Sequence, residues 1–344
     1  MDFGVISTAQ IAREDVIPGI QKSDHRVAAI ASRDGDRARA VADELGIERA
    51  YGSYEALFAD EGIDAVYNPL PNALHAEWTR RAADHGLHVL CEKPLAVDAA
   101  EAADLFAYCE DAGVTLMEAF MYRFHPRTIR AREIVAEELG EVRSATASFT
   151  FNMRWPGHES DIRLDPDLAG GSLMDVGCYA VSAVRGFLGE PERAVASSAD
   201  TRESGVDTQL SGLLEYAVER GSTSPRSTSS RGDPDGVTGR VHCGFDTESV
   251  QHYRVETVDG WLEATDTFDV TPATEPSLTY SVDGREVTET FDAVDQYTLE
   301  VEGFTEAVER GEEPLVGRED TLGTMRTIDA LAESAETDSW TTVG

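Results

Sequence analysis

Only two of the 29 lysines and arginines in the chain are lysines, Lys22 and Lys93. Lys93 stands in Cys91-Glu92-Lys93-Pro94. An ammonium there can polarise a hydroxyl or lower a neighbour's pKa, and it can shed its proton, which a guanidinium does not do. The preceding run, His88-Val89-Leu90-Cys91, is short and apolar and predicts a buried parallel strand. Open α/β sheets bind ligands at the C-terminal ends of such strands. The plainer alternative is a surface lysine before a turn proline. A second pair, Asp175 and Tyr179, lies four residues apart in a predicted helix and shares one of its faces.

The elements that must hold these groups follow a βα alternation. Met1 to Ile6 reads as a strand, Ser7-Thr8-Ala9-Gln10-Ile11-Ala12 as a turn, and an amphipathic helix continues to about Ile20. Val27–Ala31 is a second buried strand, and Ser32-Arg33-Asp34-Gly35 leads into a helix over Asp36–Leu45. That is the spacing of a dinucleotide-binding unit. The glycine fingerprint is degenerate, with Ser7 and Ala9 where glycines are expected. Small residues at a strand-to-helix turn still let backbone N–H groups approach a pyrophosphate, and the helix N-terminus favours an anion; the plain alternative is a Ser/Thr helix cap. At the end of the second strand an NAD enzyme usually holds the ribose hydroxyls with Asp or Glu. Here Ser32 and Arg33 stand there, with Arg37 a turn on, a set that suits a 2′-phosphate and so NADP. The counter-reading gives Asp34 the acidic role.

Ile63–Asn68 is a further strand, leaving through Pro69-Leu70-Pro71-Asn72-Ala73-Leu74-His75, where Asn72 is expected to cap a helix running to His85 with His75 in its first turn. With a small element and short helix over Tyr51–Asp60, the Lys93 strand, a helix over Ala99–Ala112 and a strand over Val114–Glu118 complete six strands. The fold class is therefore α/β: an N-terminal Rossmann domain with a doubly wound parallel sheet over residues 1–120, then a C-terminal α+β domain over 121–344 on an open, mainly antiparallel sheet. In the second part, Ala145–Asn152 alternates as a strand, Met153–Ala169 is an irregular loop, and Gly170–Tyr179 opens a helix to about Leu188. Val195–Thr290 reads as strands joined by turns, with Gly221–Gly236 an exposed hairpin loop, and helices over about Tyr297–Arg310 and Glu319–Glu336 close the chain.

Composition narrows the function. The length of 344 residues allows about two domains. No apolar run reaches membrane-spanning length, and the chain enters a strand pattern at once with no signal peptide, so a cytoplasmic location is expected. Cys91, Cys109, Cys178 and Cys243 are scattered, without metal-ligand spacing, and are expected to be reduced; no metal site is read. The net charge of −36, spread along the chain and carried with arginine in place of lysine, is the pattern of a protein adapted to high salt, as from a halophile. A chain with no basic face is not expected to bind nucleic acid.

Five segments in order carry a resemblance over nearly the whole chain: Gly4–Ala12, Pro69–His75, Cys91–Pro94, Glu118-Ala119-Phe120-Met121-Tyr122-Arg123-Phe124-His125-Pro126, and Gly170-Gly171-Ser172-Leu173-Met174-Asp175-Val176-Gly177-Cys178-Tyr179. With them the chain resembles the glucose–fructose oxidoreductase / inositol dehydrogenase (Gfo/Idh/MocA) family. Tyr179 stands where many members carry His; this, the Ser7-Thr8-Ala9 variant and Met121–Pro126 resemble the branch holding glucose–fructose oxidoreductase, dimeric dihydrodiol dehydrogenase and NADP-linked D-xylose dehydrogenase. The resemblance implies NADP, met by Ser7, Thr8, Ala9, Gln10, Ile11, Ser32, Arg33, Arg37, Leu70, Pro71, His75, Glu92 and Lys93. It also implies a C-terminal domain serving substrate binding and subunit contact, in a homo-oligomer that is a dimer or tetramer.

The expected reaction is oxidation of the C1 hydroxyl of a cyclic aldose, D-xylose first, to the lactone. The ring oxygen shares the positive charge that develops as hydride leaves C1. Tyr179 is the expected general base, its phenol needing a lowered pKa to act at neutral pH; Lys93 would lower it, and Asp175 would orient the sugar or balance Lys93. A neutral sugar needs a ring of hydrogen-bonding groups, for which Asn152, Arg154, Trp155, Arg163 and Tyr297 are the candidates beside Asp175 and Tyr179. The alternatives are a trans-dihydrodiol or other polyol dehydrogenase, glucose–fructose oxidoreductase, and a non-catalytic NADP-sensing regulator.

Overall fold

The apolar runs read as strands pair into a single parallel sheet in the computed structural model, which describes residues 1–154, 161–217, 236–270 and 275–344. The chain divides into two units, one of Met1–His125, Asp167–Gly170 and Val294–Met325, the other of Pro126–Pro166, Gly171–Ala293 and Arg326–Gly344. Each is described by itself.

The first unit alternates strand and helix: β1 (Asp2–Val5), a π turn (Ala12–Val16) continuing as α1 (Ile17–Lys22), β2 (Arg26–Ala31), α2 (Gly35–Leu45), β3 (Arg49–Tyr51), α3 (Tyr54–Phe58), β4 (Ala65–Asn68), α4 (His75–Asp84), β5 (His88–Glu92), α5 (Ala99–Asp111) and β6 (Leu116–Ala119). The strands lie in the order β3-β2-β1-β4-β5-β6, and every pair is parallel. Order reverses between β1 and β4, the switch point at which such sheets bind dinucleotides. Phe3, Val5, Ile30, Val66, Val89 and Leu90 are fully buried, as strands covered on both faces must be.

In the second unit α6 (Pro126–Glu137) precedes β7 (Val142–Asn152). A π turn (Leu173–Gly177) then runs into α7 (Cys178–Leu188). The strands that follow are β8 (Arg193–Ala199), β9 (Gln209–Tyr216), β10 (Val237–Gly244), β11 (Asp246–Thr257), β12 (Gly260–Thr265), β13 (Ser277–Val282) and β14 (Arg285–Thr290). After α8 (Gln296–Arg310) and α9 (Arg318–Thr337), β15 (Thr341–Thr342) ends the sheet, whose order is β14-β13-β12-β11-β7-β10-β9-β8-β15. All pairs are antiparallel except β7 with β10. The sheet is thus mainly antiparallel as expected, with one parallel pair that turn chemistry does not announce. Burial alternates along β9, and α7 packs on β7 and β10, so one face is covered by a helix.

α8 returns to the first unit and packs on α1. A Cβ on Gly19 would meet the Tyr297 Cβ at 3.0 Å, and one on Gly303 would meet Phe124 Cε1 at 2.4 Å, so glycines allow that approach. Lys22 pairs with Asp295 (2.5 Å) and Thr298 donates to the Gly19 carbonyl (3.1 Å). Asn72 does not cap α4: it lies in a 3-10 turn, and its amide donates to the Ala169 carbonyl (2.9 Å). Of the expected hairpin loop, all but Gly236 lies outside the described residues. Among the described residues no helix is long and apolar enough to cross a membrane, and the four cysteines are buried thiols.

Candidate active site

The cofactor edge is built at the C-terminal ends of β1, β2, β4 and β5. After β1, the Ser7 hydroxyl accepts from the Ala9 N–H (3.0 Å) and Thr8 is buried, which shapes the turn ahead of the helical segment. Gln10 is exposed and bonds Glu14 (2.8 Å). Ile11 is half-buried, one residue before the π turn. After β2, Ser32 is nearly buried and accepts from the Asp34 N–H (3.2 Å). Arg33 and Arg37 are exposed, the latter in the first turn of α2. Asp34 caps α2 through one carboxylate oxygen, Oδ1, which accepts from the Asp36 and Arg37 N–H groups (3.0 and 3.2 Å). Beside it stand a hydroxyl and guanidiniums, a donor set that fits a phosphate.

At β4 and β5, His75 is fully buried, with Nδ1 2.9 Å from the Pro94 carbonyl and Nε2 2.6 Å from the Leu70 carbonyl. Burial pulls its pKa down to about 4, so the ring is neutral near pH 7. A neutral imidazole has one N–H and satisfies one of these carbonyls at a time. The ring thus lies between the loop after β4 and the loop after β5, its N–H going to one of the two carbonyls. Leu70 is nearly buried and Pro71 half-buried at the same edge.

Lys93 and Glu92 are both half-buried, and the Lys93–Pro94 peptide is cis. Glu92 accepts from the Tyr67 hydroxyl (2.6 Å), and its other oxygen lies 3.4 Å from the Lys93 N–H. Burial, then the Glu92 charge, pushes the Tyr67 phenol well up, so it stays a donor. Glu118, fully buried at the end of β6, takes the Leu95 N–H (2.9 Å). Glu300 on α8 is fully buried too; burial first and the Glu92 charge second push its carboxyl well up. Tyr297 is half-buried one turn earlier on α8, its N–H held by Asp295 (3.1 Å).

The second unit holds Asn152, Arg154, Arg163, Asp175 and Tyr179. Asn152 ends β7 and accepts from the Arg154 N–H (2.8 Å). Arg154 is exposed, and its Nε donates to Asp246 (3.0 Å). The Asp246 carboxyl is lowered to about 2: its bonds to Arg154, Thr201 and Arg202 outweigh the opposing effect of burial. Arg163 donates from Nε to Asp175 Oδ2 (2.9 Å) and from Nη1 to Asp161 (3.2 Å). Asp175 lies in the π turn and Tyr179 in the first turn of α7. The Tyr179 ring is buried, with centroids 5.4 Å from Phe149 and 5.5 Å from Phe268. Those two phenylalanines stack at 5.4 Å, so two rings hold the phenol's plane. Trp155 lies outside the described residues.

Several partners were not legible. Tyr67 ends a strand in a position that sequence reads as core. Asp207 and Asp246 reach their partners over 34 to 92 residues, and no local spacing marks them as different from other surface acids. Only the proximity of Asp161 to Arg163 in the chain offered a signal.

Comparison with known proteins places this geometry. The model of an oxidoreductase family with an NAD-binding Rossmann fold (Gfo/Idh/MocA) matches residues 1–120, and that of the Gfo/Idh/MocA C-terminal domain matches 128–263. A D-xylose 1-dehydrogenase (NADP(+)) of Haloferax volcanii is 60% identical over 337 residues, 98% of each chain. A 3-ketoreductase from Actinomadura kijaniata, solved with NADP and TDP-benzene, superposes with a TM-score of 0.85 at 33% identity, covering 97% of each chain. An aldose-aldose oxidoreductase from Caulobacter crescentus, complexed with glycerol, superposes with a TM-score of 0.87 at 26% identity over 99% of each chain.

Proposed function

Because the chain belongs to the Gfo/Idh/MocA oxidoreductase family, we propose that it oxidises the C1 hydroxyl of a cyclic aldose, D-xylose first, to the lactone with NADP. The observation that carries the reading is the 60% identity, end to end, with an NADP-dependent D-xylose 1-dehydrogenase. The Ser32 hydroxyl and the exposed Arg33 and Arg37 guanidiniums at the end of β2 support NADP over NAD.

NADP, when bound, accepts the C1 hydrogen as hydride. The chain's own residues manage the proton and the pose. Tyr179 takes the C1 hydroxyl proton; its ring is clamped by Phe149 and Phe268, so the phenol oxygen is presented in a defined direction. A phenol is a poor base at neutral pH unless a cation stabilises the phenolate, and Lys93 supplies that charge. Asp175, paired with Arg163 across 2.9 Å, accepts from sugar hydroxyls. Asn152, Arg154 and Tyr297 complete the sugar's hydrogen-bonding ring. The protein works as a homo-oligomer in a high-salt cytoplasm.

The test is NADPH formation in about molar KCl, where charge repulsion is screened, with D-xylose, D-glucose, L-arabinose, myo-inositol and a trans-dihydrodiol, each with NADP and NAD. Fast turnover of D-xylose with NADP is expected. Turnover of the dihydrodiol alone, or NADPH binding with no turnover of any substrate, would overturn the sugar assignment.

A further inference from the structure

The segment carrying Asp175 and Tyr179 does not cap itself. Ser172 occupies the position before the π turn, yet its hydroxyl makes no capping bond to that turn. It donates instead to Asp207 Oδ2 (2.5 Å), an oxygen that also accepts from the Leu173 N–H (2.9 Å). The Ser172 N–H donates to the Asp207 carbonyl (2.8 Å). Asp207 comes from the segment between β8 and β9, 35 residues away. Gly171 makes room for it: φ is +116°, and a Cβ there would lie 2.5 Å from Asp207 Oδ1. The Gly171 carbonyl in turn accepts from the Asp175 N–H (3.0 Å), and its own N–H donates to the Arg163 carbonyl (2.8 Å). On the other side, Cys243 Sγ lies 3.5 Å from the Ser172 hydroxyl.

We propose that Asp207 is a positioning residue for the reaction: its carboxylate seats the start of this helix and thereby sets where Asp175 and Tyr179 present their oxygens. The inference rests on the proposed roles of those two residues. The physical reason is that the first turns of a helix have N–H groups without partners inside it, and a carboxylate there is held by charge-assisted bonds and by the helix dipole. The turn seated in this way is a π turn, a form that occurs mostly as single turns, often at functional sites. Asp175 lies inside it, so a shift of the anchor moves Asp175 first.

The experiment compares Asp207→Ala, Asp207→Asn and Ser172→Ala in high salt, with turnover normalised to folded protein. Asp207→Ala should lower kcat about tenfold or more and leave the Kd for NADPH unchanged, because Ser7, Ser32 and Arg33 belong to the other unit. Asp207→Asn, whose amide oxygen still accepts from Leu173 and Ser172, should recover to within about threefold of the parent. A role in stability alone lowers the melting temperature but leaves turnover per folded site intact, and that result for Asp207→Ala overturns the proposal. If Asp207→Ala does not fold, Ser172→Ala decides: it removes one bond to the same carboxylate, and unchanged kcat overturns the proposal equally. Tyr179→Phe is run beside them. Loss of turnover in Tyr179→Phe with full turnover in Asp207→Ala rejects the anchor alone; turnover retained in Tyr179→Phe rejects the base assignment, and the anchor with it.

Discussion

Arg163 holds Asp175 across 2.9 Å while its other arm grips Asp161. An arginine that the sequence offers as a sugar ligand is thus first the partner of a carboxylate. The charge of Asp175, and then that of Asp161, raises the arginine's own pKa. A hydrogen bond to a charged group contributes about 1.5–3 kcal/mol. Arg163→Ala is therefore expected to lower kcat/KM for the sugar by roughly 10–100-fold, and Arg163→Lys to lose less while missing the two-armed geometry. Steady-state kinetics of the two variants checks this; equal kcat/KM in Arg163→Ala would show that the pair holds structure only.

Lys93→Ala and Tyr179→Phe should each cost about 10²–10⁴-fold in kcat, the range of a positioned acid or base. NADPH affinity in Tyr179→Phe should stay near that of the parent. Near-normal turnover in Lys93→Ala would sink the mechanism.

Arg33→Ala removes an exposed guanidinium at the end of β2. The KM for NADP should rise about 10–100-fold, since a charge-assisted bond to phosphate is lost. The KM for NAD should barely change. Parallel loss with both cofactors would mean that Arg33 does not read the 2′-phosphate.

His75 makes folding depend on pH. Its folded pKa of about 4 lies below the ordinary 6.5 because the ring is buried. Between those values the unfolded chain binds the extra proton, so stability rises with pH. The contribution is complete above pH 6.5 and is lost as pH falls towards 4; at one pKa unit per 1.36 kcal/mol it amounts to about 3 kcal/mol. Urea unfolding in high salt across this window should show a shallower slope for His75→Gln than for the parent. Identical slopes would remove His75 from the account.

The net charge of −36 sets the last expectation. Self-repulsion opposes the compact state, and the screening length shortens to about 3 Å at molar salt. The melting temperature should climb with KCl from dilute buffer to about 2 M. Full stability and activity without salt would contradict adaptation to high salt.

The sequence alone determined the family and the alternation of strand and helix in the first unit, and it singled out the strand ends proposed for the cofactor and the proposed roles of Lys93, Asp175 and Tyr179. These lie in unbroken motifs, and their elements follow from local periods of two or about 3.6 residues. Only the tertiary structure decided what surrounds them. Glu92 meets Tyr67 across 25 residues, Ser172 meets Asp207 across 35, and Arg154 meets Asp246 across 92. It also paired β7 with β10 in parallel, carried α8 back to the first unit, and closed His75 away from solvent. Such contacts depend on strand register and on the path of long connections, neither of which leaves a period in the chain. An acid that seats a helix is, in the sequence, indistinguishable from the many acids that only meet water.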